Sequence, residues 1–191
     1  MMLSVAPVNV LAKPDAKIVQ SEPEEVYVDI IGEGQRSTLF NENWKFHRGD
    51  VENAQDVNYN DTTWENINLP HDYSIDQEFT TSGEAESGFL PGGVGWYRKS
   101  FVVPEKYKDK QLMVEFDGAY MNAEVYLNGK KLGDHPYGYT AFAFDLTDGL
   151  ICDGKTENVL VVKTNNQIPS SRWYSGSGIY RDVTLTVTDD V

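Results

Sequence analysis

Two short stretches of this sequence carry side chains that could bind a polar ligand. The first, LPHDYSID (69–76), places His71 and Asp72 directly after a proline. An ionised carboxylate such as Asp72 can accept two hydrogen bonds from a pair of hydroxyl groups. The same aspartate could instead cap a turn through its own backbone, with His71 as a satisfied polar residue. The local sequence leaves both interpretations open.

The second stretch is SSRWYSGSG (170–178), in which a cation and two aromatic side chains precede a flexible glycine-serine run. Arg172 could donate to a ligand or stand as a surface charge, and Trp173 and Tyr174 could cover the interior of the fold. The run SGSG precedes a strand rather than a helix, so it offers no helix N-terminus to a phosphate and is interpreted as a turn. These residues alone leave a binding role and a structural role open.

Other kinds of reactive site are disfavoured by the sequence. His47, His71 and His135 lie far apart, and none has a His or Cys partner at ligand spacing, which argues against a zinc site. The sequence contains no G-x-S-x-G nucleophile motif. The single cysteine, Cys152, cannot form an internal disulfide and is interpreted as an inert small hydrophobe.

Composition limits the partners of the chain. Its 191 residues suffice for one domain with a substantial core, and 16 Lys and Arg against 30 Asp and Glu give a net charge of −14. This charge repels phosphate backbones and anionic membranes, so nucleic acid is not an expected partner. No apolar run approaches the roughly 18 residues of a membrane-spanning helix, so no membrane span is predicted.

The elements that must position the two stretches are predicted to be strands. QLMVEFDG (111–118) alternates apolar and polar residues, whereas NVLVVKT (158–164) is apolar on both faces and is predicted to be central and buried. The last strand is predicted to begin at DVTLTV (182–187). About eight strands at short spacing, with no helices between them, predict an all-β fold, an antiparallel β-sandwich of the jelly-roll form.

Two local contacts are also predicted within this fold. The pair Asn128-Gly129 supplies the two positive φ angles of a type I′ turn, which predicts a tight hairpin. Arg181 and Asp182 adjoin the last strand and are predicted to form a partly buried ion pair that locks the preceding loop onto the sandwich. The alternative for this pair is a contact with substrate.

The N-terminal region is predicted to lie outside the sandwich, with residues 1–35 as a leader or flexible tail and residues 36–191 as the domain. The first twelve residues are mildly apolar, but they lack a basic region and contain Pro7, so they are either the remnant of a signal peptide or an unrelated start. The stretch VYVDII (26–31) is compatible with one short strand. Cytoplasmic and secreted or cell-surface locations both stay open.

Five stretches, taken together, resemble the N-terminal sugar-binding domain of glycoside hydrolase family 2, most of all that of the β-galactosidases. They are LFNENWKFHRGD, WENINLPHDYSI, GGVGWYRKSFVVP, VEFDGAYMNAEVYLNGKKLGDHPYGYTAFAFDLT and SSRWYSGSGIYRDVTLTV, in this order within residues 36–191. The resemblance implies a jelly roll that is followed by an immunoglobulin-like domain and a (β/α)₈ barrel. In that family the barrel carries both glutamates of retaining hydrolysis, so this segment alone is expected to be inactive. No cofactor is expected.

The resemblance also implies roles for the residues considered first. Loops of the jelly roll in that family contact the non-reducing sugar in the −1 subsite, so Asp72 is the expected hydroxyl acceptor and Arg172 the expected donor to galactose. Trp173 and Tyr174 are expected to shape the loop, and His71 to support the site. Enteric-type β-galactosidases hold a sodium ion with an aspartate at the position of Arg172. Because a guanidinium cannot bind a cation, no metal site is expected.

The leading hypothesis is a domain that completes the galactose subsite of a β-galactosidase-like enzyme, with a β-galactoside and the rest of that enzyme as partners. The alternative is a free-standing carbohydrate-binding module, for which the aromatic content of 12% would provide a stacking surface. A purely structural domain is a third hypothesis. β-Glucuronidases and β-mannosidases share the fold, so the exact glycoside stays open.

Overall fold

The computed structural model describes residues 31–32, 34–169 and 173–189. This part of the chain contains ten strands, and its only helices are three single-turn 3₁₀ helices at Ala85–Ser87, Glu105–Tyr107 and Thr147–Gly149. No helix among these residues has the length and apolar character needed to span a bilayer. The predicted all-β class is confirmed.

The strands form two antiparallel sheets. In spatial order, the first sheet consists of β1 (Ser37–Leu39), β10 (Val183–Asp189), β5 (Lys110–Phe116) and β8 (Phe142–Asp145). The second consists of β3 (Glu65–Ile67), β2 (Trp44–Arg48), β4 (Gly93–Val102), β9 (Glu157–Asn166), β6 (Ala123–Leu127) and β7 (Lys130–His135). The count exceeds the predicted eight in part because β1, an edge strand of three residues, is too short to show alternation.

The main core fills the space between the two sheets. On β5 the residues Leu112, Val114 and Phe116 are buried, whereas the intervening Met113 is 41% exposed, as the alternation predicted. From the other sheet the core receives Trp44, Phe46, Tyr97, Val125, Leu127, Leu160 and Val162. Ile31, which precedes the predicted start of the domain, is also buried in this core, and Cys152 packs against it.

The outer face of the six-stranded sheet is covered by residues 49–64, called here the cover loop. A second apolar cluster lies between this loop and the sheet, formed by two loop residues, Ala54 and Trp64, and by Trp96, Val159 and Val161 of the sheet. Because this cover shields the outer face of β9, the strand is buried on both faces, as predicted.

A buried arginine ties the cover loop to the sheet. Arg98 of β4 is 2% exposed, and its Nε donates to Asp61 Oδ2 at 2.8 Å. Its Nη1 donates to the carbonyl oxygens of Ala54 (2.5 Å) and Asp56 (3.0 Å). The cover loop is therefore closed around one guanidinium group.

The two predicted local contacts have opposite outcomes. Asn128 and Gly129 have φ angles of 50° and 81° between β6 and β7, as a type I′ hairpin requires, so that prediction is confirmed. The predicted ion pair between Arg181 and Asp182 is wrong. Asp182 Oδ1 accepts from Asn41 Nδ2 at 2.8 Å, whereas the Arg181 guanidinium lies 5.5 Å from the centre of the neighbouring Tyr180 ring.

Candidate sugar-binding site

The two stretches singled out from the sequence lie side by side at one end of the sandwich. The first belongs to the β3–β4 connection, and the second to the β9–β10 connection, whose described residues 173–182 are called here the site loop. The backbone N–H of His71 donates to Ile179 O (2.8 Å), and the N–H of Tyr73 donates to Ser177 O (3.0 Å). About a hundred residues of sequence separate these partners, so the fold alone brings them together.

Asp72 is the point where the two connections meet. Its Oδ1 accepts the backbone N–H groups of Ser74 and Ser177, each at 2.9 Å. Its Oδ2 accepts a hydrogen bond from the Tyr174 hydroxyl. The bond to Ser74 is the turn cap that the sequence left open for Asp72, and the other two bonds join the site loop to that turn.

The Tyr174 hydroxyl is a proton donor in this pair. Burial, and then the hydrogen bond to the Asp72 carboxylate, raise the pKa of Tyr174 above its ordinary value. The hydroxyl therefore keeps its proton at neutral pH and points it at Oδ2.

Among the described residues, these three donors leave part of the Asp72 carboxylate unused. A carboxylate offers about four lone-pair positions, and Ser74, Ser177 and Tyr174 use three of them. Because Oδ1 is fully used, the remaining position is on Oδ2. With the donors of the described residues in place, the two-oxygen fork considered from the sequence is reduced to one acceptor position on Oδ2.

Two glycines allow the site loop to approach so closely. Gly176 has φ +78°, and a Cβ atom at this position would lie 3.0 Å from Asp72 Oδ2. Gly178 has φ +113°, and a Cβ atom there would lie 2.1 Å from the Tyr97 hydroxyl. The run SGSG is therefore a turn, as predicted, but its glycines are needed for positive φ and close contact rather than for flexibility.

A buried row of polar side chains supports the site loop from below. Asn166 Nδ2 donates to Ser177 Oγ at 2.7 Å and to Gly176 O at 3.0 Å. Ser177 Oγ lies 2.6 Å from Ser74 Oγ, which donates to Pro91 O at 2.7 Å. The single hydroxyl proton of Ser74 therefore has two acceptors within reach, Ser177 Oγ and Pro91 O. No sequence motif indicated this row, because its members are distant in sequence and individually unremarkable in type.

His71 faces the interior rather than open solvent. Its Nδ1 lies 2.9 Å from the buried Tyr97 hydroxyl, its Nε2 lies 3.4 Å from Asp76 Oδ2, and its ring packs edge-on against Phe46. Burial lowers the pKa of His71, and the nearby carboxylates only partly oppose this shift. A neutral imidazole therefore supports the turn that carries Asp72.

The remaining predicted residues are less constrained. Trp173 is 71% exposed at the start of the site loop. Arg172 lies outside the described residues, so its role as a donor to the same sugar as Asp72 stays a prediction. Within the described ranges, no group of three His, Cys, Asp or Glu side chains is placed to hold a metal ion.

Comparison with known proteins identifies the family of this sandwich. Residues 40–189 match the family model for the sugar-binding domain of glycosyl hydrolases family 2, and the chain belongs to this family. The beta-galactosidase BoGH2A of Bacteroides ovatus is 46% identical over 155 residues, which are 80% of this chain and 18% of that protein. A putative beta-glucuronidase of Formosa agariphila is 41% identical over 157 residues, which are 80% of this chain and 15% of that protein.

Solved structures agree with this assignment. A glycosyl hydrolase family 2 member from Bacteroides cellulosilyticus has a TM-score of 0.79 at 42% identity, over 81% of this chain and 21% of that one. Bacteroides uniformis beta-glucuronidase has a TM-score of 0.69 at 34% identity, over 81% of this chain and 18% of that one. The chain thus spans about a fifth of the length of the relatives it matches.

Proposed function

We propose that the chain is the N-terminal jelly-roll domain of a β-galactosidase-like retaining glycoside hydrolase and forms one wall of its galactose subsite. The observation that carries the proposal is the convergence of the two connections on Asp72, whose carboxylate is held by three donors of the described residues, which leave one lone-pair position of Oδ2 unused. A fixed acceptor of this kind suits a sugar hydroxyl.

The domain contributes binding and orientation, and the two catalytic carboxyl groups belong to a barrel elsewhere in the longer enzyme. A hydrogen bond from a hydroxyl remote from the reacting carbon raises the rate when it is stronger in the transition state than in the ground state. The rigid turn and site loop favour this, because Asp72 does not have to reorganise when the sugar binds.

A neutral galactoside is the proposed substrate class rather than a uronate. The names of the relatives include both β-galactosidases and β-glucuronidases, so the family leaves this choice open. Asp72 carries a negative charge, and Asp76 lies near the same turn beside His71. A glucuronate carboxylate at this wall would be repelled, whereas a galactose hydroxyl would be attracted.

The test is Asp72→Asn in the longer enzyme, assayed with an aryl β-galactoside. The amide oxygen can still accept from Ser74 and Ser177, but the open acceptor becomes a donor. We expect kcat/KM to fall about 10- to 100-fold, as for the loss of one hydrogen bond to a charged group. An aryl β-glucuronide should remain a poor substrate of both enzymes.

Asp153→Asn is the matched control. Asp153 caps a turn in the same way, since its Oδ1 accepts from Lys155 N (2.8 Å) and Thr156 N (2.7 Å), and it lies beyond the opposite end of β9. The kcat/KM of the Asp153→Asn enzyme should equal that of the parent enzyme. Equal kcat/KM for Asp72→Asn and the parent enzyme would refute the proposal. Millimolar or tighter binding of galactose by the 191-residue chain, measured by calorimetry, would favour the free-standing binding module instead.

A further inference from the structure

The Tyr174 side chain is bonded directly to the carboxylate of the proposed site. Its hydroxyl donates to Asp72 Oδ2, whereas Oδ1 is held by two backbone N–H groups, and among the donors of the described residues only Oδ2 keeps an unused lone-pair position. A hydroxyl that donates to Oδ2 occupies one lone-pair position and leaves the other for a ligand. The position of the Tyr174 hydroxyl therefore determines in which direction the other lone pair of Asp72 Oδ2 points.

We propose that Tyr174 is a positioning residue that fixes Asp72 Oδ2 for a single sugar hydroxyl. The inference rests on the proposed function and makes it more specific, because it assigns one oxygen of Asp72 to the sugar and one side chain to the orientation of that oxygen. Tyr174 acts through Asp72 and does not itself take part in the reaction.

The backbone of the site loop supports this role. Tyr174 lies two residues before Gly176, whose missing side chain allows the loop to lie against Asp72. Ser177, one residue further on, is held by Asn166 and Ser74 and donates its N–H to Asp72 Oδ1. The Tyr174 hydroxyl and the Ser177 N–H group thus reach the same carboxylate from one short segment.

The chain offers a matched Tyr–carboxylate pair away from the site. Tyr126 on β6 donates its hydroxyl to Glu124 Oε2 at 2.6 Å, on the outer face of the six-stranded sheet. Burial and the partner carboxylate raise the pKa of Tyr126 to about 12, so it too is a protonated donor. Tyr126→Phe removes the same kind of hydrogen bond as Tyr174→Phe without touching Asp72.

The experiment compares these two variants in the longer enzyme with an aryl β-galactoside. Tyr174→Phe should lower kcat/KM about tenfold, whereas Tyr126→Phe should leave it unchanged. In the Asp72→Asn background the added Tyr174→Phe substitution should change kcat/KM less than about twofold, because the oxygen that it positions is gone. Thermal unfolding of each variant separates a loss of positioning from a loss of the fold.

A series of monodeoxy β-galactosides provides a readout that a merely structural role would not move. Tyr174→Phe should lower kcat/KM for every substrate except the one that lacks the hydroxyl bound by Asp72. An equal loss with every substrate, or an undiminished loss in the Asp72→Asn background, would overturn the inference. If Tyr174→Phe has no effect while Asp72→Asn does, the inference fails and the proposed function stands. If Asp72→Asn has no effect, the proposed function itself fails.

Discussion

The cover loop and the site loop are held to the same sandwich by different means. The cover loop buries Trp64 and Ala54 and closes around the guanidinium of Arg98. The site loop is held by backbone hydrogen bonds, by glycines in close contact and by the Asp72 carboxylate. The polar groups around Arg98 bind the cover loop to the sheet, whereas the described donors around Asp72 leave one lone-pair position of Oδ2 unused, which we propose for a sugar hydroxyl.

The largest effect is expected from removing the cation of the cover loop. Arg98→Met leaves Asp61 and the carbonyl groups of Ala54 and Asp56 without their donor, so the free energy of unfolding should fall by about 3–5 kcal/mol. Urea unfolding at neutral pH measures this change. Arg181→Met, at an exposed arginine, is the control and should stay within about 0.5 kcal/mol of the parent. Equal stability of the two variants would show that the guanidinium does not hold the loop.

An intermediate effect is expected from a methyl group in the site loop. Gly178 and Gly93 have φ angles of 113° and 112°, but a Cβ atom at Gly178 would lie 2.1 Å from the Tyr97 hydroxyl, whereas one at Gly93 would meet nothing within 4 Å. Both alanine variants carry backbone strain of about 1–3 kcal/mol, and Gly178→Ala should lose about 2 kcal/mol more. The two unfolding midpoints in urea test this, and equal midpoints would mean that the site loop moves aside freely.

The smallest effect concerns Lys99, the neighbour of Arg98 on β4. Its Nζ contacts the carbonyl of Glu42 and lies 4.3 Å from the centre of the Phe40 ring, and burial lowers its pKa to about 8. Since the unfolded chain holds this proton more tightly, the free energy of unfolding should rise with pH above about 8, by about 1 kcal/mol at pH 9 relative to pH 7. The rise should be absent in Lys99→Met, and an identical pH dependence of the two proteins would contradict the assignment.

The sequence predicted those parts of the fold that depend on near neighbours. The hairpin at Asn128-Gly129 follows from two adjacent residues with positive φ, and the burial of β9 follows from an unbroken apolar run. The ion pair between Arg181 and Asp182 was predicted from adjacency and is wrong. Asp182 instead accepts a hydrogen bond from Asn41, 141 residues away in sequence, and no local pattern predicts a contact over that separation.

The candidate site was predictable only in part for the same reason. Asp72 was singled out from its neighbours, but its bond to Tyr174 spans 102 residues, and its bond to Ser177 spans 105. The sequence assigned Tyr174 to shaping the loop, and the hydroxyl bond to Asp72 became visible only once the strands had placed the two connections together.

The bond between Asp72 and the N–H of Ser74 limits how this position can vary. Glutamate carries the same charge, yet its carboxylate would sit one methylene further out and could not close the same turn. The turn therefore requires a side chain of this length whether or not a sugar binds. A related domain that binds no carbohydrate would still need an aspartate here to close the turn. An aspartate at this position in a relative therefore does not by itself indicate sugar binding.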